Sequence, residues 1–273
     1  MLRVFCLIAL LVLPQTAWSA PQRVVALAPS GAEFLLALDC GERIVGRSGD
    51  AGPELTSVPD IGPFRSPSLE KVLSLEPDLC VGVGDGTPPA LLRRLKAAGA
   101  ETMTLDVRSF EDLFHELARL GRVLGVPEKA EALVRSARGR LESLAASGVD
   151  TGKRPSVLFL VQEKPFMAAA QGTFIGHIIE KAGGVCAVAA QGNVAYPVLG
   201  REELARIAPD VVLVSSMDSG RVGLPKRIDG TALSPELALS RVYAVDADMF
   251  TRPSLRALDA LEQLVTILYQ ENR

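Results

Sequence analysis

The chain has 273 residues, 48% hydrophobic and 22% charged, enough to bury one large core or two modest ones and unlike the composition of a disordered chain. Its 29 Lys and Arg against 32 Asp and Glu leave a net charge of -3, and no basic run stands out, which argues against nucleic acid and anionic lipid surfaces as partners. Two isolated histidines, His115 and His177, and the absence of HExxH, GxSxG, phosphate-loop or EF-hand patterns argue against an enzyme.

Arg3, the apolar run Val4 to Leu13, Pro14 and the small residues after it read as a secretory leader over residues 1–19. Ala17 and Ser19 satisfy the small-residue rule for cleavage before Ala20. The run is too short for a membrane anchor, which needs about 20 apolar residues. Cys6 lies near the start of the run rather than after a cleavage site, so a released periplasmic protein is expected, without a lipid anchor. Cys40, Cys80 and Cys186 then remain, an odd set without zinc-like spacing, so at least one thiol is expected to be free.

The mature chain opens on the apolar run Arg23 to Ala28, followed by Pro29-Ser30 and an amphipathic stretch to Leu38: a buried strand, then a helix. Ser30 and Glu33 have capping-box spacing, so Glu33 is expected to serve the helix start. Short apolar runs recur at Ile44 to Gly46, Leu79 to Val83 and Thr102 to Val107, separated by helical segments at Leu69 to Leu75 and Pro89 to Ala98. Strands alternating with helices predict an α/β fold with a mostly parallel sheet. Ser109 is a candidate N-cap for a helix through Leu124, and Pro127 opens a second helix to about Ala146. After the polar stretch Gly148 to Arg154 the pattern repeats, with strands at Val157 to Val161, Val211 to Ser215 and Arg241 to Val245. Helices are expected over Thr173 to Lys181 and Pro253 to Tyr269. Two α/β lobes, residues 20–122 and 151–273, joined by a linker helix within 123–150, are the expected organisation.

One pattern occurs twice. Leu69-Glu70 leads through Glu76-Pro77-Asp78 into a strand, and Arg201-Glu202 leads through Ala208-Pro209-Asp210 into another. Glu70 and Glu202 each lie seven positions before the proline, so they should occupy equivalent places on the two lobes. An acid in the first helical turn is favoured by the helix dipole, which is a local role for either one. As a symmetric pair they also suit a partner with similarly paired cations.

In order and spacing these pieces resemble the helical-linker class of ABC-importer binding proteins, the receptors for cobalamin, haem or iron-siderophore complexes. The resemblance runs over the mature chain, through Val24 to Ser30 with Glu33, Ile44-Val45-Gly46, Ile61-Gly62, Pro67 to Glu70, Glu76 to Leu79, the linker helix, Ala182 to Val185, Arg201 to Glu203 and Pro209-Asp210. It implies ligand capture between two lobes and no catalysis. It also implies docking of Glu70 and Glu202 onto arginines of a permease dimer. A monomer with no resident cofactor is expected, the ligand itself being a cobalt corrinoid.

Candidate ligand contacts, on loops at strand ends, are Asp50, Phe64, Arg65, Asp85, Phe166, Tyr196, Asp248, Phe250 and Arg252. Phe64, Phe166 and Tyr196 resemble the aromatic contacts of cobalamin receptors, and Asp248 with Arg252 resembles their amide-binding carboxylate and arginine. The chain departs from that pattern at Val83-Gly84, where the receptors have a tryptophan. Haem stays open through Tyr196 or His177 as an axial ligand. A ferric siderophore stays open through Arg47, Arg65 and Arg252. An extracytoplasmic interaction domain without a transport role is the reading of a different class.

Overall fold

The computed structural model describes residues 20–147, 154–190, 192, 194–216 and 226–270. The expected leader, residues 1–19, and most of the expected boundary at 148–154 lie outside them.

The first half alternates β1 (Val24–Ala26), α1 (Pro29–Ala37), β2 (Ile44–Arg47), α2 (Leu69–Ser74), β3 (Leu79–Val83), α3 (Pro89–Ala97), β4 (Glu101–Leu105) and α4 (Phe110–Val123). Its four strands form one parallel sheet in the order β2-β1-β3-β4. Next comes the long α5 (Pro127–Ser147). The second half contains β5 (Ser156–Glu163), β6 (Phe166–Ala168), α6 (Phe174–Lys181), β7 (Val185–Cys186), α7 (Arg201–Ile207), β8 (Val211–Ser216), β9 (Lys226–Ile228), α8 (Gly230–Leu233), β10 (Arg241–Asp246), α9 (Ala247–Thr251) and α10 (Ala257–Val265), which runs on into a π-helical turn at Thr266–Gln270. Here β7, β5, β8 and β10 pair in parallel, while β6 and β9 are antiparallel edges.

The repeated helix-to-strand pattern has a structural basis in both halves. Glu76 and Ala208 adopt left-handed backbone angles, φ 46 and 42, at the residue before each proline. This ends the helix at a position where proline already disfavours the right-handed helical region for its predecessor. The aspartate that follows ties the unit to the first strand of its own sheet. Asp78 Oδ2 accepts from the Gln22 and Arg23 amides at 2.8 and 2.9 Å, and Asp210 Oδ2 accepts from the Ser156 amide at 2.8 Å.

One apolar cluster runs from the first sheet through α4 and α5 into the second. Gly121 lets α4 and α5 approach closely, since a Cβ there would sit 2.3 Å from that of Ala130. The long helix, about 30 Å by its 1.5 Å rise, is also tied to both halves by charge. Arg138 forks onto Glu111 of α4 at 2.7 and 2.5 Å, and Arg140 reaches Asp259 and Glu262 of α10 at 2.7 and 2.6 Å. Cys40, Cys80 and Cys186 are buried free thiols, and burial pushes Cys80 up to about 12.

The expected capping box at Ser30 is not formed. The helix begins at Pro29, with Ala28 as its cap and no side-chain capping bond, because proline needs no amide partner at that place. Glu33 turns instead toward the second half of the chain. Ser109 does cap α4, accepting from the Asp112 amide at 3.1 Å.

Candidate functional site

In both halves the strands run toward a common cleft, where open parallel sheets form their ligand crevices. Of two adjoining cavities among the described residues, the main one, about 520 Å³, is lined from the first half by the segment after β1 (Ala28 to Ser30), Asp50 after β2, Phe64-Arg65, and Val83 with Asp85 after β3. The second half contributes Val161 of β5, Met167 of β6, Tyr196, Asp248 of α9 and Arg252. A side chamber of about 240 Å³ shares Ser30, Asp85 and Tyr196 with it and extends past Asp106, Arg108 and Thr173.

Seven of the nine candidate contacts therefore converge: Asp50, Phe64, Arg65, Asp85, Tyr196, Asp248 and Arg252. Phe166 and Phe250 do not. In β6 successive side chains point to opposite faces, so Met167 reaches the cavity while Phe166 packs on the apolar cluster around Leu158 and Leu160. Phe250 is fully buried, its ring 5.5 Å from that of Phe159. On a helix, two residues beyond Asp248 lies about 200° around the axis, whereas Arg252 returns to the same side.

Phe64 stands against the loop after β3. A Cβ at Gly86 would meet the Phe64 ring at 2.7 Å, so the small residues of Val83 to Gly86 leave room for this ring. The Arg65 guanidinium stacks over Phe64, 5.1 Å from the ring centre. Burial, and then the nearby Asp85, push the Tyr196 phenol upward, with Arg65 opposing. Burial likewise pushes the Asp248 carboxyl up, opposed by Arg252 and reinforced by Asp246 and Asp50.

The arginines are placed differently from one another. Arg47 is spent on the main chain, donating to the carbonyls of Leu55, Ser48 and Gly49 at 3.0 to 3.2 Å, which fixes the loop that carries Asp50. Arg252 donates to Glu33 Oε1 at 3.2 Å and to the Asp50 carbonyl at 2.8 Å, and pairs with Asp248 at 2.8 Å. This cross-lobe contact was missed from the sequence, where its partners are 219 positions apart and Glu33 has a local explanation.

His115 is exposed. His177 is packed 5.7 Å from Phe110, and its Nε2 is buried without a partner among the described residues. It lines neither chamber. Burial, with Lys181 assisting, lowers its pKa against the opposing pull of Glu180, Asp112 and Glu111. Because the folded value lies below the ordinary one, the unfolded chain binds the proton more readily, and stability is lost as pH falls below about 6.5. His177→Phe should flatten this slope. Urea denaturation of both proteins at pH 7.5 and pH 5.5 checks it, the wild type losing more between the two.

Glu70 and Glu202 are exposed, each the second residue of its helix, α2 and α7. The Glu70 amide and then the Ser68 hydroxyl hold the Glu70 carboxyl below its ordinary range. Neither glutamate lines either chamber.

Two α/β halves whose strand ends meet at one cleft, bound together by a long helix, define a two-lobed solute receptor. The chain belongs to the Periplasmic binding protein family, whose sequence pattern matches residues 24–245. It is 26% identical over 251 residues to the Vitamin B12-binding protein of Vibrio cholerae serotype O1, covering 90% of this chain and 89% of that one. It is also 26% identical over 259 residues to an uncharacterized ABC transporter substrate-binding lipoprotein, YvrC of Bacillus subtilis, covering 92% and 81%. The solved periplasmic vitamin B12 binding protein BtuF of Vibrio cholerae superposes with a TM-score of 0.80 at 25% identity, over 93% of this chain and 99% of that one. The periplasmic heme-binding protein RhuT from Roseiflexus sp. RS-1 does so at 0.80 and 28%, over 92% and 99%. The chain is thus a binding protein of the type that includes cobalamin and haem receptors, and not an enzyme.

Proposed function

We propose that this receptor captures a corrinoid, cobalamin by preference, in the periplasm and hands it to an ABC import permease. The observation that carries this reading is the charge of the cleft. Asp50, Asp85, Asp106 and Asp248 line its chambers against Arg65, Arg108 and Arg252. In two pairs the charges offset each other, Arg108 with Asp106 at 3.5 Å and Arg252 with Asp248 at 2.8 Å. This leaves Asp50 and Asp85 against Arg65, with Glu33 also drawing on Arg252. Carboxylates accept hydrogen bonds from the primary amides that fringe a corrin ring. They repel the propionates of haem and the acidic groups of many ferric siderophores. Phe64, Tyr196 and Met167 supply apolar surface for a flat ring face. Release without a lipid anchor follows from reading residues 1–19 as a cleaved leader.

Haem is the second reading, favoured by a tyrosine in the cleft and by the equal TM-score of the heme-binding neighbour. Calorimetric titration of the mature protein with cyanocobalamin, haemin and a ferric hydroxamate siderophore tests the choice. Cyanocobalamin is expected to bind at least tenfold more tightly than the other two. Tight haemin binding with no cyanocobalamin signal overturns the assignment.

A further inference from the structure

We propose that Glu33 is a positioning residue for ligand capture, holding the Arg252 guanidinium from the opposite lobe so that the width of the cleft and the aim of its polar floor are set together. The proposal rests on the reading of the cleft as the ligand site, but the contact is independent of which ligand binds. Glu33 lies on α1 and lines neither chamber, whereas Arg252 and Asp248 both line the main one. Its Oε1 takes Arg252 Nη1 at 3.2 Å and faces Arg256 Nη1 at 3.8 Å. The second guanidinium is steadied by Asp246 at 3.5 Å. Arg252 Nη2 meanwhile donates to the Asp50 carbonyl of the first lobe and to Asp248 of its own, both at 2.8 Å. The guanidinium is therefore held from both sides of the cleft.

The side chains of Glu33 and Arg252 are each only 14% exposed. The other Glu33 oxygen, Oε2, is buried without a partner among the described residues. Desolvating a carboxylate in this way is costly, and a buried ion pair is seldom more stabilising than apolar side chains of the same size. What a charged pair supplies here is direction. A guanidinium is a rigid planar fork, and fixing two of its edges fixes the third. Glu33 thereby acts on the ligand through Arg252, and any movement of one lobe against the other is felt at the group that faces the ligand.

The test uses Glu33→Gln, which keeps the shape and removes the charge. In the free protein, amide hydrogen exchange of α9 and of residues near Asp50 should quicken in E33Q, with the rest of both sheets unchanged. Cyanocobalamin affinity should fall about tenfold, a loss within the range for coupled polar pairs. Arg252→Gln should itself weaken binding, and the E33Q/R252Q double variant should lose no more than R252Q alone. Losses that multiply, or exchange that is unaltered at both places, overturn the proposal. If E33Q does not fold, R252Q gives the reciprocal reading, with faster exchange expected on α1. If the wild type binds neither cyanocobalamin nor haemin, the ligand reading fails, while the exchange measurement still decides the role of Glu33.

Discussion

Uptake is expected to collapse when Glu70 and Glu202 are both replaced by alanine, while cyanocobalamin affinity and the folded structure stay as they were. The two carboxylates occupy the same second position of two equivalent short helices, one in each half, and both are exposed and outside the cleft. Each unit is anchored in the same way, through an aspartate that accepts from an amide at the start of the first strand of its sheet. The long helix and its ion pairs link the two frames that carry the pair. A permease dimer with a cation for each would engage both at once, so each single variant should weaken docking and the double variant should remove most of it. Raised salt should imitate the loss by screening. The control is Glu203→Gln, because Glu203 is occupied locally: its Oε2 accepts from the Gly200 amide at 2.9 Å, and glutamine preserves an acceptor. Vesicle uptake with the reconstituted permease measures the effect. Normal transport by the double variant, or lost affinity for cyanocobalamin, would show that these glutamates do something else.

The equivalence of Glu70 and Glu202 was legible because it is carried by local spacing that occurs twice. The same holds for the buried parallel strands, whose apolar runs stand between helices of recognisable period, and for the cap at Ser109. Misreadings arose where a local rule competed with a distant partner. Ser30 and Glu33 have the right interval for a capping box, yet Pro29 starts the helix without one and Glu33 is taken by two arginines more than two hundred positions away. The parity of β6 was also hidden, since a three-residue strand offers no alternation from which to choose between Phe166 and Met167. Arginines in the sequence looked interchangeable as cleft cations, but Arg47 is consumed by carbonyls of its own loop. The acidic balance of the cleft depends on which groups the fold brings together, and no segment displays it alone.

Phe250→Ala is expected to cost about 3 to 5 kcal/mol of stability, the range for truncating a buried phenylalanine, with little effect on the affinity of the folded protein. At a strand end beside Asp248 and Arg252, Phe250 has the sequence context of a cleft aromatic. The short helix α9 reverses that. Asp248 and Arg252, one turn apart, face the cleft and pair with each other, whereas Met249 and Phe250 are buried beneath. The Phe250 ring meets Phe159, on a strand that pairs with β8, so its removal opens a void in close-packed surroundings that rigid strands do not readily fill. Phe64→Ala should behave in the opposite way, because Phe64 is half-buried and lines the main cavity: cyanocobalamin affinity should fall while stability changes little. Urea denaturation and calorimetry on both variants separate the two roles. Near-normal stability of F250A with lost binding would place Phe250 among the ligand contacts after all.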